Sequence, residues 1–254
     1  MHYGFYTAAA GLLSQQRTLN TISNNLANVQ TPGYKTERVM TTTFDYEYMM
    51  RFEKGHKTHI GKNSPMLKVD EVITDFENSS LEETHFPYDM GLVGEGFFNI
   101  KGKEHTYLTR NGNFDIDEQG YLILPQIGRV QGKTTDATGN VTEGDIYVGG
   151  SDFYVNDQGM IWDNETNYVG EFYITQPNDI NSMQRYSNGL FVSNDVKDVD
   201  LPTIFQGTLE RSNIDMNSEY TRIMETQNAL VACSTALKIM DQMNARSTDL
   251  CSIA

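Results

Sequence analysis

Ile22-Ser23-Asn24-Asn25-Leu26-Ala27-Asn28-Val29-Gln30-Thr31-Pro32-Gly33-Tyr34-Lys35 is the stretch on which the reading of the fold turns. Its first half continues a helical pattern and its second half ends it. Thr31 is pushed out of the helical region by the proline that follows it, and Gly33 frees the backbone, so a helix must stop near Val29. Upstream, Phe5, Ala8, Leu12, Leu19, Ile22, Leu26 and Val29 fall on alternating three- and four-residue steps, with Gln15 in the missing position. That is a heptad seam on a helix of about 27 residues. At the other end of the chain, Asn213 or Asp215 can cap a second helix. Its seam runs through Tyr220, Ile223, Leu230 and Leu237, is broadened by Met224 and Val231, and is interrupted by Gln227 and Ser234. Burial of one seam cannot offset the ordering of so many backbones, so each helix needs a partner surface from the other helix, from other molecules, or from both.

Charge separates these ends from the middle. Residues 1 to 36 contain Arg17 and Lys35 and no acid, and residues 206 to 254 contain four bases and six acids. The two ends therefore cancel, and the formal net charge of -15 resides in residues 37 to 205. An acidic middle prefers water and repels phosphate backbones and anionic membranes, which argues against nucleic-acid binding. No apolar run reaches the roughly 20 residues of a membrane span, and Met1-His2-Tyr3-Gly4 does not open like a cleavable signal, so neither membrane insertion nor a signal peptide is expected. Cys233 and Cys251 are 18 positions apart. On one helix they would stand about 27 Å apart, too far for an intrachain disulfide, and both read as small packing residues.

The middle reads as β structure. Phe97-Phe98-Asn99-Ile100, Tyr107-Leu108-Thr109, Phe114-Asp115-Ile116, Tyr121-Leu122-Ile123-Leu124, Ile146-Tyr147-Val148, Phe153-Tyr154-Val155 and Glu171-Phe172-Tyr173-Ile174 are short aromatic or β-branched segments. Phe114-Asp115-Ile116-Asp117-Glu118-Gln119-Gly120 echoes Phe153-Tyr154-Val155-Asn156-Asp157-Gln158-Gly159, which predicts repeated hairpins. Asp115 to Gly120 opens like a calcium loop, but Gln126 stands where a bidentate glutamate is needed, and a tight turn explains the same residues. His56 and His59 lack further ligands nearby. Gly91-Leu92-Val93-Gly94-Glu95-Gly96 precedes a strand, whereas a dinucleotide-binding fingerprint follows one. Neither the acid pair Glu82-Glu83 nor any serine falls in a catalytic arrangement. No catalytic residue, metal ligand or cofactor is assigned, and the chain is not expected to be an enzyme.

The opening stretch, together with Gly11-Leu12, closely resembles the N-terminal signature of bacterial flagellar rod, hook and hook-associated axial proteins. Gly94-Glu95-Gly96-Phe97-Phe98, Thr109-Arg110-Asn111-Gly112-Asn113-Phe114 and Gln206-Gly207-Thr208-Leu209-Glu210-Arg211-Ser212-Asn213-Ile214-Asp215 resemble further blocks of that family. The length is like that of the basal-body rod members. Departures lie at Asn228 and Leu230, where arginine and tyrosine are usual, and in the tail Ala245 to Ala254.

The resemblance implies an α+β fold whose long terminal helices pair as a coiled coil around a mainly β central domain. The expected division is 1–36 with 206–254 as the helical inner-tube domain, 37–85 as an extended connector and 86–205 as a β-rich outer domain. It implies a torque-transmitting structural subunit, exported without a cleaved signal and located in the basal body. Its ends would order on joining the assembly. The implied partners are copies of itself, other rod and hook proteins, the flagellar export apparatus, and peptidoglycan or bushing-ring proteins. A hook-like subunit or a β-domain binding module is the alternative. Asn24, Asn25, Asn28, Thr31, Gly33, Tyr34 and Lys35 would then fix the exit of the chain from the inner tube. Phe5, Leu12, Leu19, Ile22, Leu26 and Val29 would form the interface with Tyr220, Ile223, Met224, Gln227, Leu230 and Leu237.

Overall fold

The computed structural model describes residues 2–252 apart from 44–46, 54–55, 64–66, 104, 136–140, 151–152, 164–166, 187–188, 194 and 200–201. The chain divides into two compact units, one of Met1–Ala27, Glu37–Asp75 and Asp215–Ala254, the other of Asn28–Thr36 and Phe76–Ile214. The architecture is α+β.

In the first unit, α1 spans His2–Ala27 and α2 spans Met216–Ser252. Helix α1 stops two residues before Val29, because the turn that breaks it begins early: Thr31 donates its N–H to the Asn28 carbonyl (3.0 Å). Asp215 is the residue that caps α2, accepting the Asn217 N–H on Oδ1 at 3.0 Å. Strands β1 (Glu37–Thr43), β2 (Glu47–Glu53), β3 (His56–Asn63) and β4 (Leu67–Thr74) form nested antiparallel pairs, β1 with β4 and β2 with β3.

The two helices run antiparallel against each other. A Cβ built on Gly4 would lie 3.1 Å from Met240 Cε, one on Gly11 would lie 3.5 Å from Cys233 Sγ, and Asn25 reaches Glu219 at 3.5 Å. Steps of seven and then fourteen along α1 are matched by seven and then fourteen back along α2. The next position in the series sets Thr18 level with Thr226, which is buried. Ser14, Thr21 and Asn25 are buried on α1, whereas Phe5, Leu12, Leu19 and Leu26 are half-buried beside them and Ile22 is buried. On α2, Ile223, Leu230 and Leu237 are half-buried, while Tyr220, Met224, Gln227 and Val231 are exposed. Within one chain, therefore, one of the two heptad positions of each helix lies a residue away from the apolar seam. Small residues at those positions let the backbones approach, a property that a search for apolar side chains passes over.

The second unit contains β5 (Leu81–Glu83), β6 (Met90–Val93), β7 (Phe97–Lys101), β8 (Thr106–Thr109), β9 (Asp115–Ile116), β10 (Leu122–Leu124) and β11 (Gly128–Thr135). It continues through β12 (Val141–Asp145), β13 (Phe153–Val155), β14 (Met160–Asp163), β15 (Asn167–Phe172) and β16 (Ile174–Pro177). The last strands are β17 (Gln184–Arg185), β18 (Leu190–Val192), β19 (Val196–Asp198), β20 (Thr203–Gln206) and β21 (Thr208–Glu210). The main antiparallel sheet runs β13-β14-β15-β11-β7-β8-β18-β17, with β6 paired to β20 and β5 to β21 beside it. Ile146-Tyr147-Val148 lies extended but forms only the single bridge Tyr121 to Tyr147. The polar, glycine-containing β11 takes the central place that no apolar pattern announced.

The two echoing segments adopt the same turn. Gly120 donates to the Asp117 carbonyl (2.8 Å) and Gly159 to the Asn156 carbonyl (2.9 Å), and each turn leads into an antiparallel partner strand. Asp115 and Asp117 accept backbone N–H groups of the residues that follow them, as hairpin acids do. Beneath the sheet, Phe98 meets Phe114 edge-on at 5.2 Å and Phe172 at 5.7 Å, and Ile100, Leu122, Ile161 and Ile174 complete a dry core.

Candidate functional site

The segment Asn28–Thr36 leaves the end of α1 and crosses the β unit as a strap. Its first residues are a turn held by Thr31 N–H to Asn28 O and by the Thr31 hydroxyl to Asn28 Oδ1 (3.3 Å). Gly33 then takes φ +66 and donates its N–H to the Glu210 carbonyl at 2.8 Å. A Cβ at this position would lie 2.3 Å from the Arg110 carbonyl carbon, so glycine is required by both conformation and space. Tyr34 is buried beneath the Arg185 guanidinium, 4.7 Å above its ring, and its carbonyl accepts the Asn213 N–H. Asn213 Oδ1 in turn accepts both the N–H (2.8 Å) and the hydroxyl (2.6 Å) of Thr36.

At the centre lies a buried charge triad. Lys35 Nζ donates to Glu210 Oε1 and to the Glu77 carbonyl, both at 2.8 Å. Arg110 Nη1 lies 3.5 Å from Glu210 Oε2 and donates to the Leu92 carbonyl, while Nη2 reaches Gly94 O. The Ser79 N–H adds a further bond to Oε1 at 3.1 Å. The side chains of Lys35, Glu210 and Arg110 are 2%, 1% and 4% exposed. Burial pulls the Arg110 guanidinium below its ordinary range, and Glu210 opposes that shift. One carboxylate thus joins the strap, the strand end after β8 and the end of β21. This arrangement clamps backbone.

The first unit holds a second polar knot. Asn25, fully buried, pairs its side-chain amide with the Glu37 backbone in both directions, donating at 2.9 Å and accepting at 3.1 Å, and so fixes the start of β1. Its Nδ2 also reaches Glu219 Oε2, and Glu219 Oε1 accepts from Arg222 at 3.3 Å. Asn25, Asn28, Thr31, Gly33, Tyr34 and Lys35 all lie in bonds that fix the chain path; Asn24 is on the exposed side of α1, and Val29 is half-buried in the turn. Sequence alone does not pair Arg110, Glu210 and Glu219 with their partners, because a charged residue carries no mark of a partner so distant in sequence.

Among the described residues, no group of three or more His, Cys, Asp or Glu is placed to hold a metal ion. No helix among them is long and apolar enough to cross a membrane. The outward faces of the helices are apolar in places: Tyr6 and Leu13 on α1, and Tyr220, Met224 and Val231 on α2 are all exposed, three of them beyond 60%. Met224 and Val231 stand about 140° round α2 from Glu219 and Thr226, at 100° per residue.

Three family models match the chain in order: "Flagella basal body rod protein" over residues 5–35, "Flagellar hook protein FlgE/F/G D1 domain" over 91–193, and "Flagellar basal body rod FlgEFG protein C-terminal" over 206–250. The flagellar basal-body rod protein FlgF of Caulobacter vibrioides is 27% identical over 250 residues, covering 95% of this chain and 93% of that protein. The rod protein FlgG of Borreliella burgdorferi is 25% identical over 279 residues, covering 96% of each. The hook protein FlgE of Treponema pallidum is 29% identical over 137 residues, but that covers 52% of this chain and 30% of the hook protein. Helical ends, a β middle and matches in this order define an axial subunit of the bacterial flagellum. Within that class the rod relatives align over nearly their whole length and the hook relative over less than a third of its own. The chain belongs to the flagellar basal-body rod family.

Proposed function

We propose that this chain is a structural subunit of the flagellar rod, joining copies of itself and other axial proteins into a tube that carries torque from motor to hook. In this reading the paired terminal helices act as a coiled coil in the inner tube, and the β unit contributes to an outer layer. The observation that carries it is the double use of α2. One face lies on α1 through small and polar residues, and another leaves Tyr220, Met224 and Val231 to solvent. An apolar row of that kind on a long helix is an unfinished interface. Phe5, Leu12 and Leu19, half-buried within one chain, line its other flank. Within one chain Tyr220, Met224 and Val231 stay open, so the helices gain rigidity when neighbours cover the row. Export through the flagellar secretion apparatus precedes this step, and contacts with peptidoglycan or bushing rings belong to the β unit.

The test is complementation of a strain lacking the gene with Met224→Asp/Val231→Asp. Basal bodies should stop at a truncated rod and swimming should be lost, while the purified variant keeps the urea midpoint of its β unit. Full-length, motile flagella from this variant would overturn the proposal.

A further inference from the structure

Hydrophobicity alone does not choose the face that α2 turns to α1. The residues that α1 covers include Glu219, Thr226, Cys233 and Met240, seven apart, and the first two are buried. One residue further round stands Tyr220, exposed, with Met224 and Val231 about 20–40° beyond it. Rotating α2 by a single residue would bring Tyr220 inward and return the Glu219 carboxylate to water, but it would also carry Gln227 and Ser234 inward and Cys233 and Met240 outward, so apolar burial does not separate the two faces. A specific contact can make that choice, and one is found where Asn25, held by Glu37, meets Glu219.

We propose that Asn25 and Glu219 form a register pin that selects which face of α2 meets α1, and thereby which face is left for neighbouring subunits. Asn25 is itself immobilised, because its amide is tied in both directions to the Glu37 backbone. Its Nδ2 presents a fixed donor to Glu219 Oε2, and Arg222 holds the other carboxylate oxygen. Rotation would separate Glu219 from the Asn25 donor and leave that donor facing Tyr220, while Arg222, on the same helix, would turn with the carboxylate. A single polar contact in a helical seam specifies register at some loss of stability. Here it also keeps Tyr220, Met224 and Val231 outward. The assembly role of that outward row rests on the function proposed above; the register itself does not.

The chain supplies its own probe. Gly11 faces Cys233, and a Cβ at Gly11 would sit 3.5 Å from Sγ, close to disulfide geometry. In full-length chain carrying Cys251→Ser, Gly11→Cys is paired either with native Cys233 or with Cys233→Ser/Ser234→Cys. Intrachain disulfide formation under mild oxidation is followed by gel mobility and peptide mass. The two rates share every factor that depends on how often the helices meet, so their ratio reads register alone. The pair at 233 should form at least tenfold faster than the pair at 234. Asn25→Leu or Glu219→Leu should bring the ratio to within about threefold or reverse it, and Glu219→Gln, which keeps an acceptor oxygen, should preserve it. An unchanged ratio in both leucine variants, loss of preference in Glu219→Gln, or no preference in the parent would overturn the pin. Correct register in a protein whose gene is dispensable for motility would refute the assembly role and leave the pin standing.

Discussion

Replacing Glu210 by glutamine changes one atom, yet it should be among the most damaging substitutions in the β unit. In the native chain Glu210 is the single carboxylate between two cations, 2.8 Å from Lys35 Nζ and 3.5 Å from Arg110 Nη1, and all three side chains are at most 4% exposed. Glutamine keeps the shape and one acceptor but removes the charge that Lys35 and Arg110 share, and Arg110 retains only the weaker attraction of Glu95. Loss of one partner of a buried pair costs about 3–5 kcal/mol, which lowers the melting temperature by roughly 6–20 °C for a unit near 150 residues. Lys35→Met should cost less, about 1–3 kcal/mol, since Arg110 still faces Glu210 and the main losses are a charged hydrogen bond and the partner of Glu77 O. The double variant should cost less than the two singles together by about 1–3 kcal/mol, because removing Lys35 relieves part of the repulsion that Glu210→Gln creates. Trp162, the only tryptophan, lies in this unit, so its emission during urea unfolding reports the β unit alone. A loss below about 1 kcal/mol for Glu210→Gln, or a greater loss for Lys35→Met, would refute the view that the triad is a buried clamp.

Gly33→Ala should destabilise the same unit by more than the roughly 1–2 kcal/mol that a left-handed backbone costs an alanine, since the added methyl would strike the Arg110 carbonyl carbon; urea midpoints measure this. Asp198 accepts from Lys133 and from the Tyr173 hydroxyl, and the Lys133 bond, helped by Tyr173, holds its carboxyl below the ordinary 3.8. Its contribution is therefore complete above that value and is lost as pH falls through the depressed one, which carboxyl-carbon NMR titration can follow. Tyr173 is pushed up to about 12, chiefly by burial and then by the bond to Asp198. Stability held by its protonated form is present below 10 and lost as pH rises towards about 12; in alkaline titration at 295 nm, a late step should be present in the parent and absent in Tyr173→Phe. Limited proteolysis of the free chain should trim residues in α1 and α2 faster than residues 76–214, and equal resistance of both units would contradict a helix pair that depends on neighbours.

Periodicity revealed the helices because a long amphipathic pattern survives local exceptions. Strands were legible where aromatic and β-branched residues cluster, as at Phe97 to Ile100 and Phe153 to Val155, and the echo of Asp117 to Gly120 in Asn156 to Gly159 became two copies of one turn. Strand β11 was not legible. Its residues Gly128-Arg129-Val130-Gln131-Gly132-Lys133-Thr134-Thr135 carry a single strongly apolar side chain, and pairing with β7, β10, β12 and β15 makes it a strand. The helix seam was legible in one of its two heptad positions for a related reason: Ile223, Leu230 and Leu237 announce themselves as apolar, whereas Gly4, Gly11 and Thr226 become contacts only when a second helix lies beside them.

The charge triad escaped detection on different grounds, and its geometry gives three of the four resembling strings a common physical basis. Glu210 stands 175 residues from Lys35 and 100 from Arg110, and no local rule connects charges so far apart. Yet the N-terminal string delivers Lys35, the string at Thr109 delivers Arg110, and the C-terminal string delivers Glu210. The glycines follow the same logic: Gly33 makes room for the Arg110 carbonyl, and Gly112 makes room for Met90, whose carbonyl oxygen would lie 1.7 Å from an added Cβ. Strap, strand and C-terminal segment are thus complementary surfaces of one buried joint, so a change of charge in any one string requires an answering change in the others. The strings are recognisable together because they are folded together, and what they build is the attachment of the N-terminal strap to the β unit.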